Sequence, residues 1–202
     1  MIVPMEPVHA RAAAQLHAEG LPDAFLTRLG HSFLTALYTL LSSSPWSFGF
    51  VALQGGTVTG FITATTNTDQ LFKELVLRRG YRLLFPLLWQ VVRHPAILKG
   101  LLETLRYPGK VAEGEAETEL LSIVVRAEDR GKGLGRALLD QLLAECRRRS
   151  ISRLRVSVDE VNEGANRFYR GHGFHHLDTV DIYGKRMNVY LRRIRRRAEG
   201  VR

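Results

Sequence analysis

Cysteine is almost absent from this 202-residue chain, in which Cys146 is the only one. A single thiol cannot form a disulfide within the chain, and it cannot supply the sulfur ligands of a structural zinc site. The seven histidines also lack metal-ligand spacing. We therefore expect no metal cofactor and a fold suited to a reducing compartment.

Long apolar runs are missing as well. No stretch approaches the roughly 18 to 20 apolar residues of a membrane span, and residues 1–7 lack the basic start and apolar stretch of a secretory signal. These absences predict a cytoplasmic protein that is not integral to a membrane. With 45% hydrophobic and 24% charged residues, a chain of this length is expected to form one well-buried domain.

Acidic residues are outnumbered, since 29 Lys and Arg face 20 Asp and Glu for a net charge of +9 at pH 7. This balance suits a nucleic acid, an anionic lipid surface or a polyanionic cofactor. Five of the six residues 192–197 are arginine, and we interpret 192–202 as a solvated basic tail after a domain of residues 1–191. Aromatic residues other than Trp89 do not interleave with the basic ones, so no specific nucleic-acid partner is expected.

Apolar periodicity, with Gly and Pro breaks, predicts an α/β fold with a mixed central sheet flanked by helices. Strands are expected at 2–3, 48–53, 58–65, 120–125, 153–158, 179–183 and 186–191. Helical spacing covers 8–18, 25–41, 134–149 and 163–170. Gln54-Gly55-Gly56-Thr57 has the composition of a tight hairpin between the second and third strands.

The region between the third and fourth strands is unusually long. Residues 71–108 are rich in basic residues, Leu, Trp and Phe, and are divided by Gly80, Pro86 and Pro95, which predicts a helical insertion. Its uncharged stretch 83–92 is too short to span a bilayer. Three roles stay open: a cap over the acceptor site, a peripheral membrane or lipid-like contact, and a homodimer or packing surface.

The most informative stretch is 121–139, where a buried strand enters a turn containing Gly131, Gly133 and Gly135 and then opens a helix. Glycine lets a ligand approach the backbone, and the free N–H groups of a helix start attract an anion such as a pyrophosphate. The spacing excludes a P-loop, because Gly133 is followed by Leu134 rather than Lys. It also excludes a dinucleotide fingerprint, because Leu138 stands where the third glycine belongs.

The turn resembles the Arg/Gln-x-x-Gly-x-Gly/Ala signature of GNAT acetyltransferases, which Arg130, Gly133 and Gly135 satisfy. A second stretch is similar to that family's Asn-x-x-Ala-x-x-Phe-Tyr-x-x-x-Gly-Phe element. Its matching residues are Asn162, Ala165, Phe168, Tyr169, Gly173 and Phe174. The two signatures occur in the family's order with a strand between them, and the resemblance covers 119–191.

The resemblance implies acetyl-CoA as co-substrate and assigns roles within this segment. The backbone around Val124, at Ile123 and Val125, would pair with the pantetheine arm like an added strand. The residues expected to cradle the pyrophosphate are Arg130, Gly131, Lys132, Gly133, Leu134, Gly135 and Arg136. Asn162 would hydrogen-bond the arm, with Ala165 and Phe168 from the same motif beside the cofactor. Tyr169 would protonate the departing thiolate, since a phenol keeps its proton at pH 7.

The general base is sought on the fourth strand, where many family members carry a glutamate. Glu119 precedes Leu121 by two residues and Ile123 by four, so simple alternation places the three side chains on one face. The other reading of Glu119 is an exposed carboxylate at the strand start. Further candidates are Glu117, His172, His175 and His176, of which the histidines are better explained as residues at a helix end or strand edge.

These expectations describe an N-acetyltransferase that moves an acetyl group to a primary amine by direct attack in a ternary complex. A small molecule such as an amino sugar or aminoglycoside is the preferred acceptor. The alternatives are a protein N-terminus or lysine side chain, and a non-catalytic CoA- or nucleic-acid-binding regulatory module. Carboxylates that could receive a cationic acceptor are Asp23, Asp69, Glu113, Glu115 and Glu117.

Overall fold

A computed structural model describes residues 1–75, 118–182 and 184–194. The strands in these ranges are β1 (Ile2–Pro4), β2 (Ser47–Gln54), β3 (Thr57–Thr65), β4 (Thr118–Val125), β5 (Arg153–Asp159), β6 (His175–Ile182) and β7 (Lys185–Arg193). The helices are α1 (Ala10–Gly20), α2 (Phe25–Arg28), α3 (His31–Ser43), α4 (Thr68–Lys73), α5 (Leu134–Arg148) and α6 (Glu163–Gly171). Single 3₁₀ turns lie at Pro7–His9 and Ala127–Asp129.

Within the described residues, the strands form one mixed seven-stranded sheet in the order β1-β2-β3-β4-β5-β7-β6. Neighbouring strands are antiparallel except for β4 and β5, which run parallel. This arrangement confirms the predicted mixed α/β sheet. The crossover that the parallel pair requires is made by α5.

Apolar side chains cover both faces of the sheet. On one face α5 buries Leu138, Leu142 and Cys146 against β2 to β5. On the other face α1 and α3 pack against β2 to β4, with Tyr38 and Phe61 among the largest fully buried side chains. Removing one such leucine side chain costs about 2 to 5 kcal/mol, so both helical layers hold the sheet firmly.

Glycines in the left-handed region set two of the early chain reversals. Gly55 and Gly56 have φ angles of 54° and 80°, which confirms the tight hairpin between β2 and β3. Gly30, with φ 88°, separates α2 from α3. The predicted helical stretch 25–41 is therefore two helices rather than one, because a left-handed residue ends the regular helix.

The last two strands differ from their predicted bounds. β6 begins at His175, four residues before the predicted start, and β7 continues to Arg193. Ile194 is buried and donates its backbone N–H to the carbonyl of Ser152 at 2.7 Å. β7 thus continues two residues past the predicted boundary at 191, while residues 195–202 of the predicted tail lie outside the described residues.

The start of the predicted insertion is attached to the core. Leu71 and Glu74 are buried, and the hydroxyl of Ser44 donates to the Glu74 carboxylate. From residue 76 to residue 117 the insertion lies outside the described ranges. In the part of the chain that the structure describes, no helix has the length and apolar character needed to cross a membrane.

Candidate active site

Strands β4 and β5 separate halfway along β4. Their pairing joins Thr118 to Leu154 and Leu120 to Val156 and stops there. The rest of β4, residues 122–125, pairs with β3 alone among the described strands, while β5 pairs with β7 as far as Asp159. An open strand edge can pair with an extended ligand, and Ile123 and Val125 lie on this edge.

A bulge in β4 lies at the point of separation. Thr63 of β3 pairs with Ser122, but the next residue, Ala64, pairs with Leu120, so Leu121 is an extra residue in β4. Leu120 and Ile123 pack with the cluster around α5, whereas Leu121 and Val124 pack with the cluster around α1 and α3. The expectation that Leu121 and Ile123 share a face with Glu119 was therefore wrong, because the bulge interrupts the alternation.

The glycine turn after β4 has the conformation that its sequence suggested. Gly131 and Gly133 have φ angles of 77° and 81°, and Gly133 is the N-terminal cap of α5 without a capping side chain. The first N–H groups of α5, from Leu134, have no partners within the helix and carry partial positive charge. The turn thus has the backbone conformation that the predicted anion site requires.

Three predicted site segments meet beside this turn. A Cβ atom at Gly135 would lie 3.6 Å from Cε2 of Phe168 and 3.9 Å from Cγ2 of Val125. Gly135 therefore marks the place where the end of β4, the start of α5 and the face of α6 come together. Val125 and Phe168, which are 43 residues apart in the sequence (168 − 125), are thus brought together in the fold.

The glycine turn is stabilised by a buried carboxylate. Asp129 is only 3% exposed and accepts hydrogen bonds from Nζ of Lys132 at 2.8 Å and from Nη2 of Arg126 at 2.7 Å. The Lys132 bond, together with Arg126, lowers the pKa of Asp129. Lys132 thus forms an ion pair within the turn, while its own side chain remains 59% exposed. Arg126 and Asp129 are structural residues of the turn that the sequence reasoning missed.

The two predicted arginines of the turn have different surroundings. Nε of Arg130 donates to the backbone carbonyl of Val125 at 3.1 Å, which occupies one acceptor on the open edge of β4. Arg136 is exposed, with its Nε 3.6 Å from the carboxylate of Asp140. A surface pair at this distance contributes little energy, so Arg136 keeps its charge available at the start of α5.

Asn162 is the cap of α6, where its Oδ1 accepts the N–H of Ala165 at 3.0 Å. The neighbouring Asn166, which the sequence analysis did not single out, is buried and links three elements. Its Nδ2 donates to the carbonyls of Asp159 and Asn162 at 2.9 and 2.7 Å. Its Oδ1 accepts from the hydroxyl of Tyr190 at 2.8 Å. Asn166 therefore fixes α6 against β5 and β7.

Tyr169 lies on the inner side of α6, where it is 4% exposed and packs in T-shaped contact with Phe168 and Phe174. Burial raises the pKa of Tyr169 well above its usual value. The hydroxyl therefore stays protonated at neutral pH, as a proton donor must. Burial also makes the tyrosinate unstable, so any proton that leaves must be replaced rapidly.

Glu119 is buried rather than exposed. It is 3% accessible, and its Oε2 lies 3.1 Å from Nη2 of Arg155 and accepts the hydroxyl of Thr68 at 3.1 Å. Glu119 and Arg155 face each other in the register of β4 and β5. The carboxylate thus sits just before the strands separate, next to the open edge, in a fixed position.

The three candidate histidines lie at the end of α6 and on the edge strand β6. Nδ1 of His172 is 2.7 Å from the carbonyl of Phe168 at the end of α6, and Nε2 of His176 is 3.0 Å from Oγ1 of Thr179 on β6. His175 is exposed at the start of β6. Because β5 and β7 separate β6 from β4, their interpretation as helix-end and edge residues is confirmed.

The carboxylates suggested for the acceptor side are partly described. Asp69 lies in the first turn of α4, directly after Thr68, and Asp23 lies between α1 and α2. Glu113, Glu115 and Glu117 fall outside the described residues. Among residues 1–75, 118–182 and 184–194, no cluster of His, Cys, Asp or Glu could hold a metal ion.

A family model described as "Acetyltransferase (GNAT) family" matches residues 14–174. The chain belongs to the GNAT acetyltransferase family. Enzymes of this family use acetyl-CoA as co-substrate, and the open strand edge, the glycine turn and α6 all fall inside the matched segment. The resemblance read from two short motifs is thus confirmed over most of the chain.

Individual GNAT relatives differ in the acceptors that their names state. A mycothiol acetyltransferase of Thermobispora bispora is 41% identical over 68 residues, which is 34% of this chain and 23% of that relative. A ribosomal-protein-S18-alanine N-acetyltransferase from Escherichia coli is 16% identical over 100% of this chain and 98% of its own, with a TM-score of 0.61. An aminoglycoside 6'-acetyltransferase type Ii is 14% identical, covers 98% and 99%, and has a TM-score of 0.63. At these identities the structural likeness shows the GNAT fold alone.

Proposed function

We propose that this GNAT protein transfers an acetyl group from acetyl-CoA to a primary amine of a small molecule. The observation that carries the proposal is the opening between β4 and β5, with the glycine turn at its end and Tyr169 on the adjoining α6. The pyrophosphate would lie on the start of α5 around Gly133. The pantetheine arm would pair with the edge at Ile123 and Val125, which requires Arg130 to release the carbonyl of Val125.

The reaction is a direct attack in a ternary complex. The amine nitrogen forms a bond to the acetyl carbon, the carbon–sulfur bond breaks, and the amine loses one proton. Glu119, held by Arg155 and Thr68, receives that proton through water. Tyr169 supplies a proton to the departing thiolate, whose free pKa is about 8.5.

A small-molecule acceptor is supported by the local sequence likeness to the mycothiol acetyltransferase and by the aminoglycoside acetyltransferase among the structural neighbours. A protein amine is the second candidate, since the ribosomal-protein-alanine acetyltransferase shares the fold along the whole chain. The deciding experiment measures thiol release from acetyl-CoA with a library of small amines and with peptides bearing free N-termini or lysines.

The variant Tyr169→Phe, which lacks the proposed general acid, serves as the control in that screen. Turnover of a small amine that is lost in the variant supports the proposal. Turnover confined to peptides would transfer the assignment to the protein-amine class. Binding of acetyl-CoA without acetyl transfer to either library would instead identify a non-catalytic CoA-binding module.

A further inference from the structure

The proposed base, Glu119, is held by two different elements of the fold. Its Oε2 accepts a hydrogen bond from the hydroxyl of Thr68 on α4 at 3.1 Å, and it lies 3.1 Å from Nη2 of Arg155 on β5. Both Glu119 and Arg155 are buried. Arg155 belongs to the strand that pairs with β4 on one side, and Thr68 follows the strand that pairs with it on the other side. Two donors from different segments therefore meet at one carboxylate oxygen.

Two donors restrict a carboxylate more than one donor does. A glutamate side chain has three rotatable bonds, and the last of them has no sharp rotamer preference. With the bond from Arg155 alone, the plane of the Glu119 carboxylate could still rotate. The bond from Thr68 selects one orientation, and the fold has already lost the side-chain entropy that this selection costs.

Thr68 is itself fixed by the turn that leads from β3 into α4. The hydroxyl oxygen of Thr65, which lies opposite Glu119 in the register of β3 and β4, accepts the backbone N–H of Asn67 at 3.2 Å. The side chain of Asn67 in turn caps α4 by accepting the N–H of Gln70 at 2.9 Å. Thr68 follows this cap as the first residue of the helix, and its β-branched side chain is restricted at χ1. Its hydroxyl therefore has a defined direction.

The other end of α4 is attached to the core. Leu71 is buried in the cluster around α1 and α3, and Glu74, directly after the helix, accepts the hydroxyl of Ser44. Contacts at both ends therefore hold α4 in place over Glu119. The same helix leads into the predicted insertion, so Glu119 takes part of its orientation from the segment that enters the insertion.

We propose that Thr68 is a positioning residue for acetyl transfer, whose hydroxyl holds the Glu119 carboxylate in the orientation that receives the proton of the attacking amine. This inference rests on the proposed function, in which that proton reaches Glu119 through water. Thr68 acts through Glu119 and keeps its own proton throughout, so it is not a catalytic residue.

The test uses the full chain and the amine that the wild-type protein acetylates best. Thr68→Val removes the hydroxyl at nearly constant volume and should lower kcat by about ten- to a hundredfold, as expected for a lost hydrogen bond to a charged group. KM for the amine and the affinity for acetyl-CoA should change little, a split that a general loss of structure would not produce. Thr68→Ser, which keeps the hydroxyl, should restore most of the turnover.

Two further variants control for the substitution itself. Thr66→Val makes the same change two residues earlier, where the hydroxyl donates to the backbone carbonyl of Trp46 at 3.2 Å, and it should leave kcat unchanged. Thr68→Ala removes the hydroxyl without placing a new methyl group against the carboxylate, and it should show the same loss as Thr68→Val. A loss confined to Thr68→Val would come from the added methyl group and would overturn the proposal.

A double-mutant cycle tests whether Thr68 acts through Glu119. In the Glu119→Gln background the proton acceptor is already lost, so Thr68→Val should lower the remaining turnover much less than it does in the wild type. Independent losses, in which Thr68→Val costs the same factor in both backgrounds, would overturn the positioning role.

The same measurements separate this inference from the proposed function. Wild-type turnover that Glu119→Gln strongly lowers and Thr68→Val leaves intact would refute only the role of Thr68. Full turnover in Glu119→Gln would refute the roles of Glu119 and Thr68 but leave acetyl transfer established. Failure of the wild-type protein to acetylate any amine would refute the proposed function and the role of Thr68 together.

Discussion

Glu119 and Arg155 form a buried ion pair across β4 and β5, one residue before their last paired position, with Oε2 3.1 Å from Nη2. Both side chains are at most 10% exposed. The pair ties the strands together at the position where they begin to separate. The residue proposed as the general base therefore also helps to keep β4 and β5 together at the base of the opening between them.

The pair predicts different outcomes for its two members. Glu119→Gln keeps the hydrogen bonds but removes the proton acceptor, so kcat should fall by about 10²- to 10⁴-fold with acetyl-CoA affinity preserved. Arg155→Met removes the positive charge next to a buried carboxylate and should lower the free energy of unfolding by about 3 to 5 kcal/mol. Steady-state kinetics and urea unfolding measure the two effects.

The control is Glu163→Gln, which alters an exposed pair with Arg167 at 3.6 Å and should change neither quantity appreciably. If Glu119→Gln retains full turnover, Glu119 is a structural residue and the base lies elsewhere.

The glycine turn should bind the phosphates of acetyl-CoA through its backbone. Replacing both Gly133 and Gly135 by valine strains the left-handed residue at φ 81° and crowds Phe168, so the N–H groups lose their alignment. Calorimetry should show acetyl-CoA affinity weakened on the order of tenfold or more. Gly55→Val is the control, because it strains a left-handed glycine in the β2–β3 hairpin, outside the predicted cofactor site, and should leave the affinity intact.

Tyr169→Phe should lower kcat by about ten- to ten-thousandfold with little change in acetyl-CoA affinity. Its ring contacts with Phe168 and Phe174 are kept by phenylalanine, so the fold should survive. Because burial raises the pKa of Tyr169, ionisation of this residue should not reduce the wild-type rate in mildly alkaline buffers. Unchanged kcat in the variant would remove Tyr169 from the mechanism.

His17 should make stability depend on pH. Its pKa is about 4 in the fold against 6.5 for the free side chain, so the unfolded chain binds more protons between these values and stability falls as pH falls from 6.5 toward 4. At about 1.4 kcal/mol per pH unit the loss approaches about 3 kcal/mol. Thermal unfolding of His17→Asn should show a flatter profile in this window, whereas His175→Asn, at an exposed position, should match the wild type.

Much of the fold was predictable because it depends on local patterns. Apolar periodicity marks α5, and consecutive glycines mark the β2–β3 hairpin, where only left-handed residues fit. The start of β6 was missed because His175 to Asp178 are all exposed and show no alternation. Those residues form a strand because they pair with β7. Pairing with a distant segment cannot be predicted from the sequence of the strand itself.

The candidate site was likewise predictable where it depends on local motifs and unpredictable where it depends on contacts between distant segments. The turn around Gly133 and the cap at Asn162 were predictable from short motifs. The Glu119–Arg155 pair joins residues 36 positions apart, and the bulge at Leu121 depends on how β3 registers with β4. No local pattern encodes either feature, and both change how Glu119 is interpreted.

The insertion should select the acceptor and leave cofactor binding alone. The residues proposed to hold acetyl-CoA all lie between Ile123 and Phe168, downstream of the insertion in the chain. Leu71 and Glu74, at its start, are buried against the described core, so a deletion that begins at residue 71 would damage the domain itself. A useful variant therefore keeps α4 and replaces only 76–108 by a short Gly/Ser loop.

In that variant we expect turnover of the preferred amine to fall while calorimetry finds acetyl-CoA affinity close to that of the wild type. A second variant, Leu71→Ala, tests the core separately and should lower Tm through lost packing, with acceptor preference retained. Loss of acetyl-CoA binding from the folded loop variant, with its ranking of amines intact, would contradict the assignment. A role in acceptor selection lowers the turnover of the amine, whereas a role in cofactor binding lowers the affinity for acetyl-CoA. Acceptor kinetics and cofactor calorimetry together therefore distinguish the two roles.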